Sequence, residues 1–248
     1  MDNKKGIVNI LIKKGLELLE RPREKGIYTD NRDANKLIND IENYPHAFVL
    51  GAIMDRQIDA ERAWLIPYKV MFELKDFSFA SLQKVNLNKI KNIFIKHNLH
   101  RFNEKMAQNF YLAVQRIHNI YNDNASNIWN DNPLSATVVK RFLEFNGVGI
   151  KISTMAANIL VRNFKVHMND HICIDTSPDV QVSRVFRRIG FIPKNSKKEL
   201  LIYTARELYP KYPGIFDTLC WEIGKNWCRP KSPKCGKCYL EKYCQKIV

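Results

Sequence analysis

Four cysteines near the end of the chain have the residue type and the spacing that bind metal. They follow the pattern Cys228-x6-Cys235-x2-Cys238-x5-Cys244. Thiolates this close in sequence can converge on one centre, and four cysteines are the usual ligands of a [4Fe–4S] cluster or a structural zinc ion. Spacing and the softness of sulfur do not separate iron from zinc. Four unligated core thiols are the simplest alternative.

Disulfide bonds are the weaker interpretation of these cysteines. Four lysines interrupt the first 20 residues, so that no apolar core and no cleavage site of a secretory signal is recognisable there. In a cytosolic chain, clustered cysteines indicate metal binding before disulfides. The remaining two cysteines, Cys173 and Cys220, lie among apolar residues and are predicted to be small buried hydrophobes.

The composition favours a globular protein with a polyanionic partner. The 248 residues include 40 Lys and Arg against 25 Asp and Glu, which gives a net charge of +15. Nucleic acid is the first candidate partner, although a basic surface without such a partner would give the same composition. No apolar run approaches the roughly 18 residues of a membrane span, and we therefore expect no role in a membrane.

Apolar residues recur at helical spacing along most of the chain. The pattern is clear over residues 106–120, 138–145 and 152–161, while the alternation typical of strands is scarce. Polar tracts rich in Asn and Asp separate the periodic segments, for example at residues 30–33 and 130–133. The sequence therefore predicts an all-α fold, and these helices must position the residues that carry the chemistry.

A Gly-x-Gly turn between two predicted helices is the second notable feature. It lies in the run Phe145-Asn146-Gly147-Val148-Gly149-Ile150-Lys151. Glycines permit positive φ and a close approach of the backbone, and the first amides of the following helix can bind a phosphate. Such a turn would hold a DNA backbone without reading its sequence. An ordinary helix–helix connection with a solvated Lys151 is the simpler interpretation of the turn alone.

An aspartate before a predicted helix is the third feature. Asp179 follows Ser177-Pro178 and has the position of a helix N-cap. Helix capping alone would explain an aspartate at this position. The functional interpretation is that its carboxylate is held at a helix end and faces a cleft. Asp175, four residues earlier, is the alternative candidate for that carboxylate.

Together, the three features resemble the helix-hairpin-helix DNA glycosylases of the endonuclease III type. Residues 145–151 follow the family's hairpin pattern L-P-G-V-G-x-K, with Phe-Asn in place of Leu-Pro. Residues 179–185 follow its pattern D-x-x-V-x-R-V, and the cysteine spacing is that of its [4Fe–4S] cluster. The order of the motifs also agrees, and the resemblance extends from about residue 40 to the C-terminus.

The aspartate motif departs from the family in two ways. Gln181 stands where histidine is common, and Ile174-Asp175-Thr176 imitates the family's Val-Asp-Thr four residues too early. The interval from Lys151 to Asp179 is also longer than usual, which favours Asp175. The register with Arg184 and Val185 favours Asp179, and we choose Asp179 on that ground.

The resemblance implies two helical domains with a DNA-binding cleft between them. Residues 42–165 would form a six-helix barrel that ends in the hairpin. Residues 1–41 and 166–248 would form a discontinuous helical domain, which carries one [4Fe–4S] cluster on Cys228, Cys235, Cys238 and Cys244. The basic N-terminal arm matches none of the three motifs.

The resemblance also implies a base-excision glycosylase with AP lyase activity. Lys151 would attack C1′ and form a Schiff base, while Asp179 would stabilise positive charge on the sugar or activate the nucleophile. The target base must be flipped out of the duplex, and Gln57 would fill the gap, although it is equally an ordinary polar residue at a helix end. The residues expected to contact DNA are Gln57, Gly147, Val148, Gly149, Ile150 and Arg184.

The expected partner is double-stranded DNA with a damaged or mismatched base, bound by a monomer in the nucleoid-containing cytoplasm of a prokaryote. Oxidised pyrimidines, oxidised purines and mismatched thymine or uracil are all candidate substrates.

Two other functions stay open. A non-catalytic DNA-binding or damage-sensing protein would not need both Lys151 and Asp179, and a zinc-stapled nucleic-acid-binding module would leave the hairpin and the aspartate unexplained.

Overall fold

The chain folds into α-helices joined by short loops. The computed structural model describes residues 2–247, and over that range it contains twelve α-helices, three 3-10 helices and no β-strand, which confirms the predicted all-α class. No helix in this range is both long and apolar enough to cross a membrane. The α-helices are α1 Asp2–Glu20, α2 Arg32–Asn39, α3 Pro45–Met54, α4 Ala60–Leu74, α5 Phe79–Leu82, α6 Leu87–Lys96, α7 Asn103–Tyr121, α8 Ser135–Leu143, α9 Ile150–Arg162, α10 Val180–Arg188, α11 Lys198–Leu208 and α12 Asp217–Asn226.

Helix α3 is the centre of the first group of helices. All ten of its residues are buried, and its sequence is apolar on every side, as expected for a helix surrounded by others. It packs against α2, α4, α7 and α9. The ring of Phe48 contacts those of Trp64, Trp129 and Phe164, with centroids 5.7, 6.1 and 5.2 Å away. Helix α3 is therefore held firmly by the core along its whole length.

A second group of helices joins the two ends of the chain. Helix α1 packs against α12, α9 and the 3-10 helix Pro213–Phe216, and it buries Ile7 and Leu11 completely. Lys165 Nζ donates to the carbonyls of Leu18 and Leu19 at 3.0 and 2.9 Å, which satisfies two acceptors at the end of α1. Helix α10 packs against α11 and α12.

The predicted boundary at residue 42 stays a prediction. The packing of α1 on the C-terminal helices is what a discontinuous domain would show. Helix α2, however, lies within the predicted arm of residues 1–41 and packs on α3 and α4. Helix α2 is short and has one apolar face, which must pack against another element. Its buried residues Leu37 and Ile38 accordingly belong to the same continuous core as α3.

The extended segment before α10 is fixed to the start of α12. Ile174 O accepts from Gly214 N at 2.7 Å, and Thr176 Oγ1 donates to Pro213 O at 2.6 Å. The amide of Ser177 donates to Asp217 Oδ1 at 2.8 Å, and the Ser177 hydroxyl donates to the same oxygen. Burial raises the pKa of Asp217 from 3.8 to about 6.

The raised pKa of Asp217 predicts a pH-dependent stability. Its folded-state pKa exceeds the unfolded one, so the contribution of this group to stability is complete below about pH 4 and is lost as the pH rises through about 6. The difference in pKa corresponds to roughly 3 kcal/mol. Asp217→Asn should therefore become more stable relative to the wild type as the pH rises over this range. The quantity to compare is the free energy of unfolding of the two proteins, measured by urea denaturation. Thr218→Ala is the control: Thr218 follows Asp217 in α12 and has no titratable group, so this variant should show no such change. If the difference in unfolding free energy between Asp217→Asn and the wild type does not change with pH, the pKa of Asp217 is not raised.

Candidate active site

The hairpin that carries Lys151 connects α8 to α9 through a turn that requires glycine. Gly147 has φ +86°, which side-chain-bearing residues rarely adopt, and Val148 N donates to Phe145 O at 3.1 Å to close the turn. Gly149 is the N-cap of α9, with φ −121° and ψ −176°. Lys151 is the second residue of α9, and its side chain is about one-quarter exposed. The turn thus sets the direction of the lysine.

Asp179 is the N-cap of α10, and its two carboxylate oxygens have different neighbours. Oδ1 accepts a hydrogen bond from Gln181 N at 2.7 Å. Oδ2 lies 4.0 Å from Lys151 Nζ. The structural and the functional interpretation of this residue are therefore compatible, because one oxygen holds the helix start and the other faces the lysine.

Asp175 occupies a different environment from Asp179. Its carboxylate is buried and accepts from Arg206 Nε and Nη2 at 2.7 and 2.9 Å. Its backbone carbonyl accepts from Asn158 at 3.1 Å. The structure thus brings Asp179 to Lys151 and holds Asp175 against α11.

A second carboxylate near Lys151 was not identified from the sequence. Lys151 Nζ donates to Asp55 Oδ2 at 2.8 Å and to the Asp55 carbonyl at 3.3 Å. The Asp55 side chain is only 9% exposed and follows the last residue of α3. It lies 96 residues before Lys151 in the chain, so no local motif connects the two. Three oxygens from two segments therefore surround one amine.

The loop between α3 and α4 also presents Gln57. This residue is exposed, and its φ of +55° is unusual for a residue other than glycine. Arg56, its neighbour, donates from Nη1 to Gly147 O at 3.2 Å. The loop is thus attached to the hairpin by Arg56 and to α9 by Asp55. The role of Gln57 as a DNA contact stays a prediction.

Arg184 points into the protein and ties α10 to the cysteine loop, residues 228–244. Its Nε donates to Cys228 O at 2.7 Å, and its Nη2 donates to Gly224 O at 2.9 Å and also to Gln181 Oε1. Burial lowers the pKa of Arg184. The structure gives this arginine an internal holding role, and its predicted contact with DNA stays a prediction.

The four cysteines of the cysteine loop line one cavity. All four are half-buried, and Ile189, Ile223, Trp227 and Leu240 form its apolar walls. Burial raises the pKa of the Cys238 and Cys244 thiols, so that a positively charged group would be needed to hold them as thiolates. Within residues 2–247, no group of three or more His, Cys, Asp or Glu side chains is arranged so that it could hold a metal ion. The donor set fits a group that four soft thiolates would surround.

The other two cysteines are separate from this cavity. Cys220 is completely buried, which confirms its predicted place in the core, while Cys173 is only half-buried. Around the cavity, the cysteine loop exposes Arg229, Lys231, Lys234, Lys237 and Lys242.

Comparison with known proteins identifies the fold. No protein-family model and no curated protein sequence matches the chain. A trapped endonuclease III–DNA covalent intermediate in an estranged-adenine complex matches with a TM-score of 0.63 and 14% identity, over 98% of this chain and 96% of that one. A thermostable thymine-DNA glycosylase gives 0.63 and 16%, over 98% and 97%. A non-covalent endonuclease III–DNA complex gives 0.60 and 15%, over 98% and 95%. The resemblance found in the motifs is thus confirmed for the fold, which is that of endonuclease III and the thymine-DNA glycosylase.

Proposed function

We propose that this protein is a DNA glycosylase with AP lyase activity, acting as a monomer on a damaged or mismatched base in duplex DNA. The observation that carries the proposal is the approach of Lys151 Nζ to Asp179 Oδ2, 4.0 Å apart and from separate helices. An amine and a carboxylate at this distance suit cleavage of a glycosidic bond through a covalent sugar–enzyme intermediate. The endonuclease III-type fold, whose solved examples include DNA complexes, supports the proposal.

The two residues would perform different parts of the reaction. Breaking the bond between base and sugar develops positive charge on the sugar, which the Asp179 carboxylate would stabilise. Its orientation is fixed because Oδ1 caps α10. Lys151 would attack C1′, and the resulting Schiff base would permit elimination of the 3′ phosphate. The lysine therefore supplies the lyase activity.

The loop between α3 and α4 would fill the space that the flipped base leaves. Unstacking a base costs a few kcal/mol, and a side chain inserted into the gap offsets part of that cost. Gln57 is exposed and has a strained backbone, a combination that is common at functional sites. Because Arg56 and Asp55 attach this loop to the hairpin and to α9, insertion and backbone binding would occur on one rigid unit.

The hairpin would bind the DNA backbone through its amides. As at any helix start, the first amides of α9, those of Ile150 and Lys151, have no intrahelical partner. Gly149 and Ile150 are exposed, and a Cβ placed on Gly149 would find no atom within 4 Å. This open surface admits a phosphate. The net charge of +15 and the basic cysteine loop would add sequence-independent attraction.

We further propose one [4Fe–4S] cluster on Cys228, Cys235, Cys238 and Cys244. When bound, it would supply four iron–thiolate bonds that close the loop. The chain itself supplies the apolar walls of the cavity and the Arg188 guanidinium, whose Nη1 lies 3.7 Å from Cys228 Sγ. This guanidinium would offset part of the negative charge that thiolates bound to a cluster bring into the cavity.

Substitution of the two proposed catalytic residues should separate the two activities. Lys151→Ala should abolish borohydride trapping and strand nicking, because no amine remains to form the Schiff base. Asp179→Asn should bind DNA normally and release base about 10²- to 10³-fold more slowly, because the carboxylate acts on the transition state. A panel of duplexes, each with one lesion, should be scored separately for base release and nicking.

Asp175→Asn is the matched control for this experiment. It removes the rival carboxylate, and its activity per folded molecule should stay near that of the wild type. Loss of base release in this variant, with activity retained in Asp179→Asn, would reverse the assignment. If no lesion distinguishes the Lys151 and Asp179 variants from the wild type, the protein is a damage-sensing DNA-binding protein instead.

The cluster should be detectable as iron in anaerobically purified protein. We expect about four iron atoms per chain and a yellow-brown colour, with absorbance at about 400 nm. Cys235→Ser should lower the iron content, whereas Cys173→Ser, outside the cavity, should not. One zinc and no iron would overturn the proposal.

The two glycines of the hairpin should differ in what they affect. Gly147→Ala should lower the free energy of unfolding by about 1–2 kcal/mol, because φ is +86° and the new Cβ would overlap Nδ2 of Asn109. Gly149→Ala should fold normally and bind undamaged duplex about tenfold more weakly, since a methyl group would stand between the amides and a phosphate. Thermal melting and DNA titration at several salt concentrations measure both. Unchanged binding by Gly149→Ala would argue against the hairpin as a phosphate site.

A further inference from the structure

We propose that Asp55 accepts the proton of Lys151 and so makes this lysine a nucleophile, while Asp179 acts on the sugar. The inference rests on the proposed function, because it concerns how the same lysine is activated. Lys151 Nζ donates to Asp55 Oδ2 at 2.8 Å, which is a full hydrogen bond, whereas Asp179 Oδ2 lies 4.0 Å away. The geometry therefore assigns the proton transfer to Asp55.

The position of Asp55 is rigid enough for this role. It is the C-cap residue of α3, and its amide donates to Ala52 O at 3.1 Å. Because α3 is buried along its whole length, Asp55 cannot move without disturbing the core. Its carboxylate is 9% exposed, while the lysine is 26% exposed. The amine thus has access to a ligand, and the acceptor is shielded behind it.

Asp179 is less suited to take the proton. Its Oδ1 is occupied by the amide of Gln181, and its Oδ2 is beyond hydrogen-bond distance from the lysine. A carboxylate that became protonated would also lose the negative charge that stabilises a positively charged sugar. Two carboxylates remove this conflict, because one can become neutral while the other stays ionised.

A purely structural ion pair is the alternative role of Asp55. An ammonium group has no lone pair, so an ion pair that stayed intact would keep Lys151 inactive. Catalysis needs a group within hydrogen-bond reach that can take the proton. In the described part of the chain, Asp55 is the side chain that hydrogen-bonds to Lys151 Nζ.

The proposed step balances without any further reactant. One N–H bond of the Lys151 ammonium breaks, and its proton passes to Asp55 Oδ2, which leaves a neutral amine and a neutral carboxyl group. The lone pair of the amine then forms the N–C1′ bond as the bond from C1′ to the base breaks. The departing base keeps the electron pair of that bond and takes, through water, the proton that the new secondary ammonium loses. Nothing is oxidised or reduced.

The test is the pH dependence of covalent trapping by Asp55→Asn. Single-turnover borohydride trapping on a duplex with a preformed AP site should be about 10²-fold slower than in the wild type near neutral pH. The deficit should shrink by about tenfold for each unit of rising pH, because hydroxide replaces the missing acceptor. Asp55→Glu should restore part of the rate near neutral pH. A substitution that only disturbed the fold would lower trapping equally at every pH.

Asp59→Asn is the matched control. Asp59 lies on the same loop, is exposed, and caps α4 by accepting from Glu61 N at 2.9 Å. It should trap at the wild-type rate at every pH. If the Asp55→Asn variant traps as fast as the wild type, or faster, the proposed role of Asp55 is wrong and the proposed function is unaffected. A wild-type protein that traps no AP-site duplex would overturn the proposed function and this inference with it.

Discussion

The position of one ammonium group between two carboxylates sets the strictest constraint on this structure. Lys151 at the start of α9 must meet Asp55 at the end of α3 and Asp179 at the start of α10 within 4.0 Å. Three helix ends from distant parts of the chain therefore converge on one point. The formal charges of these three side chains sum to −1, within a chain whose formal net charge is +15. Such a protein would attract a polyanion over its surface while it offers a locally negative centre to a developing cation.

The sequence predicted the parts of the site that have local patterns. The turn of Gly147 and Gly149, the N-cap position of Asp179 and the spacing of the four cysteines each depend on a few neighbouring residues, so periodicity and turn chemistry reveal them. The register with Arg184 also selected Asp179, the aspartate that the structure brings to Lys151. The helical class followed from apolar spacing along most of the chain.

The sequence did not reveal features that arise only from packing. Asp55 follows an ordinary apolar helix, and nothing near it indicates a partner 96 residues away. The internal contacts of Arg184 depend on the path of the cysteine loop, which spacing does not specify. The sequence also did not show that α2, within the predicted arm of residues 1–41, packs its apolar face on α3 and α4. Each of these outcomes was decided by tertiary contacts between distant segments.

The packing of α1 has a consequence for how the chain is made. Its buried residues Ile7 and Leu11 pack in a group that is completed by α12, about 200 residues later in the chain. Contacts between such distant segments form late, since closing a long loop costs conformational entropy. During synthesis, the apolar face of α1 must therefore stay uncovered until α12 has been translated. The exposed Lys5 and Lys13, on the face opposite Ile7 and Leu11, would keep the waiting helix soluble and discourage nascent chains from pairing with one another.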